Sequence, residues 1–313
     1  MINLSQIEHF GKMLVELGRE HLDLIVLDPD VGPSTKAVYF AENFPDRFIN
    51  IGISEQDAIG IAAGLAASGK IPIVIGFSMF LIGRAWEQIA NSVAKPNLNV
   101  KIVATHSGLS PHADGGSHQM LWDIGLMRLL PNLRVIVPAD AFEASKVAIA
   151  MIENTGPFYL RLGRTPTPVV YDEDYNFQLG CANILRDGSD ATIVANGVMV
   201  SMALEAAKSL SLEGFDVRVL DMHTVKPLDV SSLEKAALET GVIVTAEEHS
   251  VIGGLGGAVS EAISDSNPVP VKRIGVSDLF GESSRSYPKL LEKFGLSTKG
   301  IMEAVKTVVE GRR

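Results

Sequence analysis

Residues 48–91 read FINIGISEQDAIGIAAGLAASGKIPIVIGFSMFLIGRAWEQIAN and hold a strand, a helix and a second strand in close succession. The short apolar strand at 48–53 leads directly into a helix. Ser54 is a typical N-cap for it, and Asp57, three residues later, completes a capping-box-like pair. Glu55 therefore lies at a strand-to-helix junction. Because ligands in open α/β sheets bind at the carboxyl ends of the strands, this junction is a candidate active site.

Glu55 allows two interpretations from the residues alone. It is either a carboxylate that the helix dipole favours, or an acid facing a flat apolar slot beside Phe77 and Phe80, where the strand IPIVIGF ends. Gly60 and Gly64 lie one helical turn apart on the same face. Since a helical glycine costs roughly 0.5–1 kcal/mol relative to alanine, we expect this face to pack closely against another surface.

The composition is that of a globular enzyme with a sizeable core: of 313 residues, 46% are hydrophobic and 20% charged. The formal net charge of −10 argues against nucleic acid and anionic membranes as partners, because such binding requires clustered lysine and arginine. The single cysteine, Cys181, excludes an intrachain disulfide framework. No secretory signal is visible, and the longest near-apolar run, 71–83, is too short to span a bilayer. We therefore expect a cytoplasmic protein.

The whole chain alternates apolar strands with helices. This alternation predicts an α/β fold with two consecutive parallel-sheet domains, each sheet covered by helices on both faces. The stretch at 166–188 holds prolines and acidic residues without a hydrophobic period, so we expect a linker there. The predicted domains are therefore 1–165 and 189–313.

A glycine-rich loop, SGLSPHADGGSHQ, follows the predicted strand at 99–106. His106, His112 and His118 are spaced six residues apart, with Asp114 between the last two. Histidine and carboxylate are zinc ligands, but this spacing matches no compact zinc pattern. The alternative is a turn-rich loop with solvated histidines.

A second glycine-rich stretch, GGLGGAV at 253–259, lies between a predicted strand and a predicted helix. It is like a dinucleotide-binding loop but lacks the final glycine of the GxGxxG spacing. A tight turn with close helix packing is the alternative.

SEQDAIGIAAGLA, followed by GFSMF at the end of the next strand, resembles the pyrimidine-binding domain of transketolases. In that family the matching glutamate hydrogen-bonds the aminopyrimidine of thiamine diphosphate, whose imino nitrogen then removes the C2 proton of the thiazolium. The resemblance implies that Glu55 activates this cofactor and that Phe77 and Phe80 pack on the pyrimidine. The role suits a carboxyl that stays protonated, a form that apolar surroundings favour and a helix N-terminus opposes.

THSGLSPHADGGSHQ is similar to the transketolase segment that runs from a histidine through Asp-Gly to a second histidine. By that match His106 and Asp114 contact hydroxyls or phosphate of a sugar substrate, and His118 lies near the reacting carbons. Histidine suits catalysis at these two positions, because a pKa near neutrality allows proton transfer in both directions.

The resemblance also implies that Arg164, after the strand FYLRL, grips the substrate phosphate together with Ser34. A guanidinium fork matches phosphate geometry. From the residues alone, Arg164 is equally well a surface arginine at a strand end. Two positions depart from the family: Ile7 stands where many members carry an arginine, and Gly83 where they carry a tyrosine.

The metal-binding half of a thiamine enzyme is missing from the sequence. Such enzymes hold the diphosphate through a divalent cation bound by a Gly-Asp-Gly and a later asparagine, and magnesium requires oxygen ligands. Here Asp-Gly occurs at 114 and 187 only after alanine and arginine. The resemblance covers essentially the whole chain but only the C-terminal half of a fused transketolase. It therefore implies a separate N-terminal subunit that holds Mg²⁺, in a heterotetramer with two copies of each chain.

The resulting functional hypothesis is a transketolase subunit that moves a two-carbon ketol unit from a ketose phosphate to an aldose phosphate. Two thiamine enzymes remain as alternatives: the beta subunit of a 2-oxo acid dehydrogenase, which lacks the ADGGSHQ type of loop, and a deoxyxylulose-phosphate synthase, which FLIGRAWEQI resembles. A non-catalytic regulatory subunit is the third alternative.

Overall fold

The computed structural model describes residues 2–311 as one seven-stranded sheet, one five-stranded sheet and a two-stranded pair, with flanking helices. Residues 1, 312 and 313, at the ends of the predicted domains, lie outside this description. The strands are β1 (Asn3–Leu4), β2 (Leu24–Asp28), β3 (Phe48–Asn50), β4 (Ile71–Phe77), β5 (Lys101–Thr105), β6 (Arg134–Ile136), β7 (Phe158–Arg161), β8 (Thr167–Pro168), β9 (Asn183–Arg186), β10 (Ala191–Ala195), β11 (Val217–Asp221), β12 (Thr224–Lys226), β13 (Ile243–Ser250) and β14 (Val271–Val276). The helices are α1 (Gln6–Glu20), α2 (Gly32–Thr35), α3 (Val38–Asn43), α4 (Glu55–Ala67), α5 (Ser78–Gln88), α6 (Asp123–Arg128), α7 (Ala141–Glu153), α8 (Met199–Leu212), α9 (Val230–Thr240), α10 (Leu255–Ser264), α11 (Tyr287–Lys293) and α12 (Thr298–Glu310).

Both large sheets are mainly parallel. The seven-stranded sheet has the order β12-β6-β7-β5-β4-β2-β3, in which only the β12–β6 pair is antiparallel. The five-stranded sheet has the order β14-β13-β10-β11-β9, in which only β9 is antiparallel to its neighbour. The predicted α/β fold with two consecutive parallel-sheet units is confirmed. Because β12 follows β11 in the chain but extends the first sheet, the two units are interlocked.

The segment at 166–188, predicted to be a linker, contains two short strands. β8 pairs with β1 near the start of the chain, and β9 forms the edge of the five-stranded sheet. The segment therefore contributes to the sheets on both sides of it. The division of the chain at 165 and 189 stays a prediction.

Side chains on β4 alternate between the two faces of the first sheet, as the period of two in a strand requires. Ile73 and Ile75 pack in the cluster that includes α1 and α7, whereas Val74 packs in the cluster that includes α4 and α5. This packing holds the N-terminus of α4 and the first turns of α5 over the same part of the sheet.

The structure of α4 corrects one expectation and leaves another open. Ser54 occupies the N-cap position, but its side chain makes no capping hydrogen bond, so the predicted capping-box pair is not formed. Gly60 and Gly64 are exposed, and a Cβ added at either would meet nothing within 4 Å. Nothing within residues 2–311 packs on this glycine face, so its close packing against another surface stays a prediction.

Among the helices of residues 2–311, none combines the length and the hydrophobicity that crossing a membrane requires.

Candidate active site

The candidate residues follow the carboxyl ends of neighbouring parallel strands. Phe77, the last residue of β4, lies opposite Thr105 of β5, directly before His106. β7 also pairs with β5 and ends at Arg161, three residues before Arg164. Because parallel strands end at the same edge of a sheet, α2 and α4, which follow β2 and β3, begin at this edge too.

Glu55 is buried and paired with an arginine. The side chain is 6% exposed, and both carboxylate oxygens accept hydrogen bonds from Nη1 of Arg84, at 3.0 and 2.8 Å. Arg84 lies on α5, four residues after Phe80, and its guanidinium carbon stands 4.6 Å from the centre of the Phe80 ring. Sequence reasoning missed this cation. The four-residue spacing of Phe80 and Arg84, one helical turn, is the signal that could have found their contact.

Two phenylalanines and two histidines form a continuous cluster of rings next to this ion pair. The ring centres of Phe77 and Phe80 are 6.4 Å apart. Phe77 also contacts His106, at 4.1 Å between centres, and Phe80 meets His118 edge-on at 5.1 Å. The structure thus brings together four residues that the sequence identifies as candidates.

His106 is held in one orientation by its neighbour. The hydroxyl of Thr105 donates its hydrogen to the carbonyl of Gly76 at 3.2 Å, so its oxygen is available to accept from Nδ1–H of His106 at 3.0 Å. This arrangement leaves Nε2 as the unprotonated nitrogen. Burial, and then the positive charge of Arg164, lower the pKa of His106 to about 4, so the ring is neutral at pH 7. His106 has a φ of 57°, in the left-handed region.

Arg164 and Asp114 form an ion pair in which Nη1 donates to Oδ2 at 2.6 Å, with both side chains partly exposed. The backbone N–H of Arg164 donates to Oγ of Ser110 at 2.9 Å, which fixes the start of its segment. Ser34 is an exposed residue of α2. Asp28 accepts hydrogen bonds from the backbone N–H groups of Val31 and Gly32 at the start of this helix. Within residues 2–311, no hydrogen bond joins the Ser34 side chain to the other candidates.

His112 points away from the other two histidines of its loop. Its Nδ1–H donates to the carbonyl of Ser284 at 2.8 Å, and the N–H of Ser284 donates to the carbonyl of His112 at 2.7 Å. A Cβ added at Gly116 would lie 2.5 Å from the carbonyl oxygen of Gly281, so these two loops touch through their backbones. In the described part of the chain, no group of three or more His, Cys, Asp or Glu residues could hold a metal ion. The metal interpretation of the loop therefore has no support from its geometry.

A buried polar network lies behind the ring cluster. One carboxylate oxygen of Asp123, which is fully buried, accepts from Tyr159 at 2.6 Å, Arg161 at 2.8 Å and Ser78 at 3.1 Å. Arg161 also donates to the carbonyl of Glu248 on β13, at 2.9 Å. Sequence reasoning missed this network too, although an arginine inside an apolar strand is a signal for a buried partner. It ties the candidate site to the second sheet.

The glycine loop at 253–259 is a tight turn around a carboxylate. Glu247 accepts hydrogen bonds from the backbone N–H of Leu255 at 2.7 Å and of Gly256 at 2.8 Å. A Cβ added at Gly254 would overlap the Glu247 carboxylate. Because Glu247 uses the amides that a phosphate would need, the geometry favours the tight turn over the dinucleotide loop.

Similarity to known proteins covers nearly the whole chain. Residues 3–169 match the family model "Transketolase, pyrimidine binding domain", and residues 180–301 match "Transketolase, C-terminal domain". The "Putative transketolase C-terminal section" of Methanocaldococcus jannaschii is 46% identical over 305 residues, 95% of each chain. The "6-deoxy-6-sulfo-D-fructose transketolase subunit SqwH" of Clostridium sp. is 40% identical, over 95% of this chain and 92% of that one. A solved structure described as "Split gene transketolase, inactive beta4 tetramer" has a TM-score of 0.91 and 46% identity, over 100% of both chains.

Proposed function

Because this chain belongs to the transketolase family, we propose that it is one subunit of a split transketolase dependent on thiamine diphosphate. The enzyme would transfer a two-carbon ketol unit from a ketose phosphate to an aldose phosphate. The observation that carries the proposal is the buried Glu55 beside the cluster formed by Phe77, Phe80, His106 and His118, at the carboxyl edge of a parallel sheet.

We place the pyrimidine half of the cofactor between Glu55 and Phe80. Arg84 supports this placement, because its flat guanidinium already hydrogen-bonds the carboxylate and stands over the ring, where it stands in for an aminopyrimidine. When bound, thiamine diphosphate would supply the carbon nucleophile that accepts and passes on the ketol unit. In this proposal Glu55 hydrogen-bonds the pyrimidine, and Phe77 and Phe80 exclude water from its faces.

We assign substrate binding to the two histidines of the ring cluster and to Arg164, Asp114 and Ser34. His106 is neutral at pH 7, since burial and Arg164 lower its pKa to about 4, so its Nε2 suits acceptance of a hydrogen bond from a sugar hydroxyl. A group with this pKa is poorly matched to two-way proton transfer near neutrality. We therefore assign proton transfer to His118, the substrate phosphate to Arg164 and Ser34, and sugar hydroxyls to Asp114.

A partner subunit would complete the site. The sequence lacks the Gly-Asp-Gly that binds the diphosphate-bound Mg²⁺ in this family, so we assign Mg²⁺ to an N-terminal subunit. The exposed face of α4 supports such a partner: beside Glu55, Ile53 is 74% exposed, and Gly60 and Gly64 have open space above them. The relative described as an inactive beta4 tetramer is consistent with a chain that needs its partner for activity. We propose two copies of each chain in the complete enzyme.

The proposal is tested by mixing this chain with its diphosphate-side partner, thiamine diphosphate and Mg²⁺, and measuring ketol transfer between sugar phosphates. We expect transfer by the mixture, and weak binding of thiamine diphosphate to this chain alone by calorimetry. Glu55→Gln should lower kcat by about 100-fold or more, because the carboxyl group no longer assists proton movement.

Glu87→Gln is the matched control, since Glu87 is an exposed carboxyl three residues beyond Arg84. Within residues 2–311 its side chain accepts hydrogen bonds only from its near neighbours Gln88 and Asn91. No transfer from any ketose phosphate with the correct partner would contradict the proposal. Consumption of pyruvate with glyceraldehyde phosphate instead would favour the deoxyxylulose-phosphate synthase alternative.

A further inference from the structure

Arg84 occupies the two surfaces that an aminopyrimidine would need. Its Nη1 donates hydrogen bonds to both carboxylate oxygens of Glu55, at 3.0 and 2.8 Å. Its guanidinium carbon lies over the face of Phe80, 4.6 Å from the ring centre. A guanidinium and an aminopyrimidine share the relevant chemistry: each is flat, stacks on an aromatic ring and hydrogen-bonds a carboxyl group. Both cannot make these contacts at the same time.

Glu55 is the buried partner of the ion pair, and Arg84 is the partner whose side chain can move. The side chain of Glu55 is 6% exposed, whereas that of Arg84 is 49% exposed. The backbone of Arg84 is tied to α4, because its carbonyl accepts from Nε2 of Gln56 at 3.1 Å. Next to it, a Cβ added at Gly83 would meet nothing within 4 Å. Because about half of the Arg84 side chain is exposed, the guanidinium can withdraw towards solvent while its helix stays in place.

The exposure of Arg84 also limits the free energy that its displacement would cost. An ion pair with one partner half exposed contributes little, because solvent screens it and the long arginine side chain loses rotamer freedom. A stacked ring that hydrogen-bonds the same carboxyl group can therefore replace it.

We propose that Arg84 fills the pyrimidine subsite of the unliganded subunit and must leave Glu55 and Phe80 when the cofactor ring binds. Arg84 thus sets the affinity for the ring by competing for its site. The inference rests on the proposed function, because it takes the space beside Glu55 to be the pyrimidine subsite.

The test uses the pyrimidine fragment alone, 4-amino-5-hydroxymethyl-2-methylpyrimidine, which needs neither metal nor diphosphate site. It is titrated into this chain and followed by protein NMR, for the wild type and for Arg84→Met, which keeps an unbranched side chain without the charge. We expect Arg84→Met to bind the fragment about tenfold more tightly. Combining Arg84→Met with Glu55→Ala should abolish that gain, and the NMR spectra establish that each variant is folded.

Equal or weaker binding by Arg84→Met overturns the inference, since Arg84 would then support the ring site rather than fill it. So would a gain that persists without Glu55. The transfer assay with the partner subunit keeps the two proposals apart. Ketol transfer by the wild type together with no gain in Arg84→Met rejects the role of Arg84 and leaves the proposed function intact.

Discussion

The properties of His106 depend on what surrounds its ring. Thr105 orients one nitrogen, Phe77 covers a face, and burial, followed by the charge of Arg164, lowers its pKa to about 4. The properties of Glu55 also depend on its surroundings, because Arg84 donates hydrogen bonds to both of its carboxylate oxygens. Identical residue types on an open surface would have neither property.

The lowered pKa of His106 predicts a specific acid sensitivity. The unfolded chain protonates this histidine below about pH 6.5, whereas the folded chain keeps it neutral down to a pH of about 4. Its contribution to stability is therefore present above pH 6.5 and is lost as the pH falls through this window. From pH 7 to pH 5 the free energy of unfolding should fall by about 2 kcal/mol more in the wild type than in His106→Asn.

Urea unfolding at both pH values measures this difference. Asparagine tolerates the left-handed φ of 57° at this position better than most residues do. His223, whose pKa burial also lowers to about 4, is present in both proteins and cancels. Equal pH dependence of the two chains would show that His106 is not the group responsible.

At the scale of elements, α4 carries both the candidate acid and an unpartnered face. Helical glycines at Gly60 and Gly64 reduce the stability of α4, yet nothing in residues 2–311 packs above them. A methyl group there would clash only with a surface that another chain supplies. The cost in helix stability and the benefit in assembly can therefore be measured separately.

Gly60→Ala should stabilise this chain alone by about 0.5–1 kcal/mol, because alanine loses less backbone freedom in a helix. The same substitution should weaken assembly with the partner subunit, since the added methyl group would hold the surfaces apart. Thermal unfolding of the single chain and a binding titration with the partner give the two numbers. Thr307→Ala, on an exposed position of α12, is the control that raises helix propensity without touching this face. Unchanged assembly in Gly60→Ala would argue that the partner does not pack closely on α4.

Across the whole molecule, a buried acidic cluster joins the two sheets. Glu143 of α7 accepts from Tyr175 at 2.9 Å, Asp221 of β11 accepts from Tyr171 at 2.7 Å, and Asn183 of β9 donates to both tyrosines. Burial raises the pKa of Asp221 to about 7 and raises that of Glu143 well above its ordinary value. These hydrogen bonds connect the segment at 166–188 to both units of the fold. Burial favours the protonated form of the two carboxyl groups that accept them.

Removing the Asp221 carboxyl should reduce the loss of stability that occurs as the pH rises. The folded chain holds a proton on Asp221 that the unfolded chain releases near pH 4, so this contribution is lost as the pH rises towards 7. Asp221→Asn should therefore lose about 2 kcal/mol less than the wild type between pH 5 and pH 8. Chemical unfolding at the two pH values measures it. Glu173→Gln, an exposed change in the same segment, should behave as the wild type does; a flat wild-type profile would show that the folded chain holds no such proton on Asp221.

The sequence by itself determined the architecture and named the residues of the candidate site. Strand and helix periods are local patterns, so the alternation was sufficient to predict two parallel sheets. The strand end before Glu55 and the family resemblance named Glu55, Phe77, His106 and Arg164 as candidates, and the structure places them after strands of one sheet. That these residues carry the roles proposed for them awaits the experiments above. The linker at 166–188 was predicted from its lack of period, which cannot reveal that a short edge strand such as β9 is stabilised by its neighbour.

Only the tertiary structure decided which side chains meet. Glu55 and Arg84 are 29 residues apart in the chain, and Asp114 and Arg164 are 50 apart. His112 turns to a loop 172 residues away instead of to its neighbouring histidines. Such contacts depend on how helices pack on a sheet and how the two sheets interlock, and neither leaves a local pattern in the sequence. The charge beside the candidate acid, and the open glycine face next to it, therefore emerge only when the chain is folded.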